Sequence, residues 1–512
     1  MNAARARAVA ACALVLALAG PVASAAAAGD LEVGMEDERL LLSQPGQAQN
    51  AVADMAAAGV EVVRIHARWI DVSPGRGARR RPRGFDVGNP RSRRYRWQTL
   101  DRAIDLTRAA GMRVMLSVTG PGPLWTSRNP RLRNPRYKPN PALFAKFARA
   151  VATRYRDRVD RYMIWNEPNV AGWLEPQQTC VARRVCSPAS PHLYRGLVRA
   201  ARPAIERADP GAQVLLGELG PRGHRAISTR TPVSPLPFLR ALGCVDRRYQ
   251  PMRSGPCRHF RPASADAFGY HAHGVELGPE NPNPDRDQAQ IGDLPRLFAT
   301  LDRLTRSGRI GAPGRRFDLY LTEFGYETSP PDRRVGISLG RQARYLQQAA
   351  YLAWRMPRVR NLTQYQWRDE PVARGPGLRS YFGWQSGIRY LNDRPKPAFR
   401  AWTAPFVIDH PAGRTRARFW GQIRPGTGVR TVSVLRLRPG QKTFRLVAKT
   451  LTDEHGYWSH ILPVERRAKY RFSWEQTTAT ATATAGAAPK RRLSGVVQLA
   501  TDPARQWHAS RP

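Results

Sequence analysis

MIWNEPN, residues 163–169, joins an apolar run to Asn166-Glu167-Pro168. Met163-Ile164-Trp165 has the side chains of a strand covered on both faces. Pro168 has no amide hydrogen to give to a sheet, so it stops the strand. A carboxylate set where a buried strand stops is either a turn residue or an acid delivered to a pocket. The flanking sequence decides between the two.

Working outward, short apolar runs alternate with amphipathic ones from residue 29 to 405. The strands expected are 31–34, 60–65, 113–118, 162–165, 213–217, 265–270, 317–322 and 362–367. Between them, 97–110, 143–155, 193–208 and 342–355 carry helical patterns. Such alternation implies a parallel sheet with helical crossovers. Eight units suit an α/β fold of the closed (β/α)8 TIM-barrel type. A doubly wound open sheet is the other arrangement of such units, but no Gly-rich phosphate loop follows the first strand.

After residue 405 the pattern changes. ARFWGQIRPG (417–426), RTVSVLRLRPG (430–440) and AKYRFSW (468–474) read as strands split by Pro-Gly turns. Residues 406–512 are expected to form a small all-β, Ig-like sandwich. Within them, 477–489 (TTATATATAGAAP) is a low-complexity loop before a last strand at 493–499. Asp453-Glu454-His455-Gly456 reads as a hairpin turn rather than a metal loop.

At the other end, Arg5 and Arg7 precede the apolar run 8–19, then Gly20-Pro21 and Ala23-Ser24-Ala25. This is the pattern of a secretory signal over residues 1–28, cleaved after Ala25 or Ala28, and it implies an extracellular or cell-surface protein. The cysteines agree. Cys12 leaves with the signal, and Cys180/Cys186 and Cys244/Cys257 remain as two close pairs. Four cysteines allow three pairings; local disulfides are favoured because each would pin a short loop. Zinc is disfavoured by the spacing.

The chain carries 83 Lys and Arg against 39 Asp and Glu, a formal net charge of +44. Only seven of those cations are lysine. The arginines are spread along the whole chain, and no nucleic-acid motif gathers them, so nucleic acid is not an expected partner. Coding bias towards arginine explains such a spread; contact with an anionic surface or acidic polysaccharide is the functional alternative. Oligomeric state is not legible.

In a parallel barrel, working groups collect at the C-terminal ends of strands. Read in order, those ends offer Arg64 and His66, Thr119, Asn166 and Glu167, Glu218, His271 and His273, Glu323, and Trp367. Glu167 ends the fourth strand, and Glu323 ends the seventh in LYLTEFGYET, 319–328. Strands four and seven face each other across a barrel mouth, so the two carboxylates converge. Converging carboxylates beside aromatic rings suit glycosidic bond cleavage, one giving a proton and the other attacking or stabilising the sugar cation. Arg64 would hold one acid ionised. Trp69, Trp125, Trp173, Tyr326, Trp367 and Trp384 offer flat faces for sugar rings. Glu218 reads as supporting.

MIWNEPN and LYLTEFGYET resemble the acid/base and nucleophile motifs of clan A retaining glycoside hydrolases, which include the cellulase-like family five and the xylosidase-like family thirty-nine. VLLGELGP (214–221), SPPDRRVGISLGRQARYL (329–346) and GWQSGIRYLNDRPKPAFRAW (383–402) resemble secreted cellulase-like barrels of actinobacteria. The resemblance implies Glu167 as acid/base, Glu323 as nucleophile, Asn166 on a sugar 2-hydroxyl and Arg64 beside the nucleophile. It implies His271 as a donor on the pocket wall and Trp367 as the floor of the sugar site. Many clan members carry His-x-Tyr on the sixth strand, with the tyrosine on the nucleophile. This chain has His271-Ala272-His273, which makes His273 the expected donor. SVTGPGPLW (117–125) lacks the histidine that many family-five enzymes carry on the third strand.

The function expected is secreted hydrolysis of β-linked glycosides or polysaccharides by double displacement, with no metal or organic cofactor. The alternative is a non-catalytic barrel that grips cell-wall or matrix polysaccharide.

Overall fold

The computed structural model describes residues 31–182, 185–311, 316–372, 383–411, 413–476 and 490–498. The expected secretory signal, residues 1–28, and the low-complexity stretch 477–489 lie outside them. Among the described residues, no helix is long and apolar enough to cross a membrane.

Eight parallel strands close into a barrel: β1 (Glu32–Glu36), β2 (Val62–Arg68), β3 (Arg113–Thr119), β4 (Arg161–Ile164), β5 (Gln213–Leu219), β6 (Ala267–His271), β7 (Leu319–Phe324) and β8 (Val359–Tyr365). Each pairs with its neighbour in chain order, and β8 closes on β1 with Glu36 opposite Tyr365. All eight expected strands are present. The expected helices appear as Gln98–Ala109, Pro141–Arg154, Ser190–Ala208 and Leu339–Trp354.

Inside the barrel the residues are sorted by height. Val62, Met115, Met163, Leu215, Ala267 and Tyr320 form a buried apolar plug from six strands. Two residues further along β2 the inward position is Arg64, and two further again it is His66, both buried. This apolar layer separates the Arg64 cluster from a second charged group at the strand starts, where buried Glu32 pairs with Arg161 at 2.8 Å and Arg113 at 2.7 Å.

The remaining strands form two antiparallel sheets. β9 (Phe406–Asp409), β10 (Arg416–Gln422) and β13 (Tyr457–Pro463) make one, in the order β9-β10-β13. β11 (Thr431–Leu437), β12 (Arg445–Leu451), β14 (Lys469–Gln476) and β15 (Lys490–Leu493) make the other, in the order β12-β11-β14-β15, and β16 (Val497–Gln498) pairs with β14. Phe406, Phe419 and Trp458 of the first sheet meet Val434, Tyr470 and Phe472 of the second in one core. The Asp453–Gly456 turn is not a hairpin: it joins β12 to β13, which belong to different sheets.

The outer face of the first sheet rests on the barrel. Trp420 is fully buried against Tyr351 and Trp354 of the helix Leu339–Trp354. Tyr457 donates its hydroxyl hydrogen to the Leu31 carbonyl at 2.8 Å. Trp420→Ala removes a fully buried indole from this contact and is expected to cost about 3–5 kcal/mol, read as a lowered urea midpoint.

Both disulfides are local, Cys180–Cys186 and Cys244–Cys257. The first closes a hairpin, Gln178–Ala182 with Val185–Pro188, that the sequence pattern did not announce. It is an insertion after β4, beside the barrel mouth.

Candidate active site

The C-terminal ends of the strands surround one guanidinium. Arg64 is fully buried and reaches four strands at once. Its Nη1 donates to Glu36 and, at 2.7 Å, to Glu323 Oε1. Its Nη2 donates to Asn166 Oδ1 and Glu218 Oε2, both at 2.6 Å. The planar fork is what allows one cation to serve so many acceptors; a lysine ammonium has no such geometry.

Backbone shape brings the acids inward. A bulge follows Gly217 in β5, where φ is +117°, and Glu218 takes φ 53°. A Cβ at Gly217 would meet the Gly269 carbonyl oxygen at 2.4 Å. Only glycine fits that close approach. A second irregularity, between β6 and β7, precedes Glu323, so Thr322 and Glu323 both serve the polar cluster. Thr322 donates its hydroxyl hydrogen to Glu218 Oε1 at 2.7 Å. Trp165 and Glu167 lie at φ 70° and 36°, left-handed values that are costly for such side chains. The amide of Glu167 donates to the Glu218 carbonyl at 2.9 Å, which ties the two strand ends together.

His271 links the two expected catalytic acids. Its Nδ1 lies 3.1 Å from Glu167 Oε1 and 3.4 Å from Glu323 Oε2. Contacts sharing one nitrogen keep that oxygen pair within about 6.5 Å, at or below the lower edge of the carboxyl spacing of inverting glycosidases. His273 Nε2 reaches Glu323 Oε2 at 3.1 Å, the contact expected of it.

The charges balance inside the cluster. Burial alone would raise the Glu323 carboxyl. The charges of His271 and Arg64, with a hydrogen bond from His273, outweigh it and hold the group far below the usual carboxylate range. Burial would likewise raise Glu218, but Arg64, His271 and Thr322 bring it to about 2. Glu36 goes the other way: burial, with repulsion from Glu323 and Glu38, pushes it well above the ordinary value despite Arg64. Two carboxylates held low therefore face two cations, while the third acid is pushed the other way.

Burial would lower His271, yet Glu323, Glu167 and Glu218 push it up to about 10. Its folded value lies above the ordinary 6.5, so the stability it contributes is complete below pH 6.5 and is lost as pH rises through about 10. Urea midpoints measured from roughly pH 8 to 11 should fall more steeply for the parent protein than for His271→Gln.

The cluster floors a cavity of about 500 Å³. Its walls include Glu38, His66, Asn166, Glu167, Trp173, His273, Glu323, Tyr365 and Trp384. A second cavity of about 280 Å³ shares Glu167, His273 and Trp384 with the first. Glu167 therefore stands between two spaces, and its side chain keeps 20% exposure while Glu323 keeps 8%.

Of the expected aromatic faces, Trp173 and Trp384 line the cavity. Trp367 does not. It is 1% exposed and packs on Phe399 and Trp402. The eighth strand ends at Tyr365, two residues earlier than its expected end, and Tyr365 is the ring on the cavity wall. Tyr326 is also buried, donates to the Leu277 carbonyl at 2.9 Å and packs on Tyr345, so it too lies outside the cavity wall. Trp69 and Trp125 sit in the core, Trp69 stacked on Phe147.

Sequence reasoning missed Glu36, Glu38 and Tyr365. Glu36 ends β1 in EVGME. An expected strand that stopped at residue 34 left it outside. Glu38 holds His66 Nδ1 at 2.8 Å. Two buried triads, Glu36–His66–Glu323 and His271–His273–Glu323, have metal-ligand atoms within 4.8 Å of one another. In the first, Glu36 and Glu323 both already accept from Arg64 Nη1.

No family model matches the sequence, and no curated protein matches it. Solved structures do. A glucosidase from Croceicoccus marinus is similar at 12% identity over 85% of this chain and 94% of that one, with a TM-score of 0.47. An endo-beta-1,4-mannanase from Thermotoga petrophila is similar at 10% identity over 93% and 99%, with a TM-score of 0.40. Xylanase B from Clostridium stercorarium is similar at 15% identity over 73% and 96%, with a TM-score of 0.43.

Proposed function

We propose that this protein is a secreted β-glycosidase that acts by double displacement. The observation that carries the reading is the pair Glu167 and Glu323, set on opposite strands of the mouth and both against His271 Nδ1.

Glu323 has the charge of a nucleophile, held ionised by Arg64, His271 and His273. Glu167, the more exposed acid, supplies the proton. In the first step Glu323 attacks the anomeric carbon, the glycosidic C–O bond breaks, and the leaving oxygen takes the Glu167 proton. The product is a glycosyl ester on Glu323. In the second step Glu167, now ionised, accepts a proton from water. The water oxygen bonds to the anomeric carbon, and the ester C–O bond breaks to return Glu323 as a carboxylate. Asn166 uses its Oδ1 on Arg64, which leaves its Nδ2 hydrogens for a sugar hydroxyl. Trp173, Tyr365 and Trp384 provide ring faces. Export is supported by the pattern of residues 1–28 and by the two disulfides.

The test uses activated 2-deoxy-2-fluoro β-glycosides of the gluco, manno, xylo and galacto series. The fluorine slows the second step more than loading with a good leaving group, so the ester accumulates. Intact mass should rise by one fluorosugar, and peptide mapping should place it on Glu323; the series that reacts names the sugar. An adduct on any other residue rejects the assignment. No adduct and no turnover, with polysaccharide still bound, would favour the non-catalytic barrel.

A further inference from the structure

Positive charge is not spread evenly around the barrel mouth. The loop after β3, residues 120–140, holds four arginines and Lys138 and no acid. The loop after β5, residues 220–234, holds three arginines and His224 and again no acid. The loop after β6, residues 272–293, holds five acids against the single Arg286. The β3 and β5 loops are therefore cationic; in the β6 loop Asp287 pairs with Arg240 and Asp293 with Arg296, which leaves Glu276, Glu280 and Asp285 against Arg286.

The two basic loops are joined to the cavity. Lys138 N donates to the Glu175 carbonyl at 2.8 Å, and Arg136 Nε donates to the Gly172 carbonyl at 2.6 Å. From the other side, Gln177 N donates to the Thr229 carbonyl at 2.8 Å, and Arg230 pairs with Glu175 at 3.2 Å. Both loops thus clasp the segment that carries Trp173, a wall of the larger cavity. Exposed Arg222 and His224 continue the rim into the smaller cavity beyond Glu167.

Several arginines on the barrel flanks are matched: Arg154 with Asp101, Arg202 with Glu206, Arg358 with Asp302. On the rim, Arg131, Arg133 and Arg225 are exposed, and among the described residues none of them has an acidic partner. Unmatched cations on loops beside a cleft raise the local potential and attract a chain of repeated negative charge.

We propose that the substrate is an anionic β-linked polysaccharide, whose charged units lie on the β3–β5 side of the mouth while one glycosidic bond sits at Glu167 and Glu323. This rests on the glycosidase reading for the bond that is cut, but not for the binding. A carboxylate or sulfate on alternate or successive sugars would meet Arg131, Arg133 and Arg225, and the acidic loop after β6 would repel a chain laid the opposite way.

The experiment measures binding and cleavage separately. Glu323→Gln, in the full chain, is run through gels containing polymannuronate, a sulfated β-glycan, neutral β-glucan, neutral β-mannan or duplex DNA. Retention by an anionic glycan, weakening with salt, is expected. Arg131→Ser/Arg133→Ser/Arg225→Ser should weaken it at least about tenfold. A control, Arg247→Ser/Arg253→Ser/Arg258→Ser, removes exposed charge between the helix Pro235–Leu242 and β6, at the opposite end of the barrel, and should leave it unchanged. The carboxylate and sulfate gels identify the anion. Equal losses in both triple variants, equal retention by neutral polymers, or rim-dependent retention by DNA in place of glycan would each overturn the proposal. Cleavage is then read with the parent protein. Hydrolysis of neutral polymers in preference to anionic ones rejects the proposal and leaves the glycosidase reading intact. Rim-dependent retention with no cleavage of anything rejects the glycosidase reading and leaves the anionic ligand.

Discussion

Glu323→Gln should lower kcat on aryl β-glycosides by at least about 10⁴-fold, with little change in folding. The amide keeps the shape of the side chain but cannot form the glycosyl ester. It also removes one negative charge from between Arg64 and His271, so His271 should lose part of its upward shift. Two readouts separate chemistry from structure. Near-ultraviolet circular dichroism should match the parent protein. Added azide should rescue turnover of Glu323→Gly, because a small anion fits where the carboxylate was and attacks from the same face. The product would be the α-glycosyl azide. A β-azide product would instead point to loss of the acid/base residue and would reverse the roles of Glu167 and Glu323. Activity of Glu323→Gln near the parent value would remove the double-displacement reading altogether.

Arg64→Met should cost about 3–5 kcal/mol of stability at neutral pH, because it strips the cation from a buried cluster that holds two ionised carboxylates. The side chain has no exposure, and no water replaces it cheaply. The sign of the pH dependence follows from the depressed values of Glu218 and Glu323. Carboxyls with lowered folded values contribute stability above their unfolded value, and the contribution is lost as pH falls through the folded one. The gap between parent and Arg64→Met should therefore narrow below about pH 4, and urea unfolding at pH 3 and pH 7 would show it. Arg64→Lys keeps the charge but not the fork, so it should fall between the two. A gap that stays constant with pH would mean that Arg64 acts through packing alone.

These two residues show how unevenly the site was legible. Glu323 was readable because it ends an apolar strand, and Arg64 because it stands at the end of the second one. The site lies where strands stop, so each error in a strand end became an error in the site. Trp367 was chosen as the ring of the eighth strand. The strand ends two residues sooner, which puts Tyr365 on the cavity and Trp367 against Phe399 and Trp402. Glu36 was lost in the same way at the end of β1. Glu218 was visible, but its partnership with Arg64 depends on a bulge at Gly217, and single-strand periodicity carries no mark of a bulge. The aromatic residues were the least legible. Indole rings serve core and sugar equally well, and only burial separates Trp69 from Trp173.

The sequence by itself determined the eight strand–helix units, the change to all-β structure after residue 405, and the two acids at the ends of β4 and β7. Those follow from local rules: side-chain periodicity, proline's missing hydrogen, and the cost of burying charge anywhere but at a strand end. The tertiary structure alone decided that Arg64 bridges Glu36, Glu218 and Glu323, that His271 touches both expected catalytic acids, and that the basic loops after β3 and β5 clasp the segment carrying Trp173. The reason is closure of the barrel. It brings residues 64 and 323 within one hydrogen bond of each other, and no local pattern encodes a contact between groups so far apart in the chain.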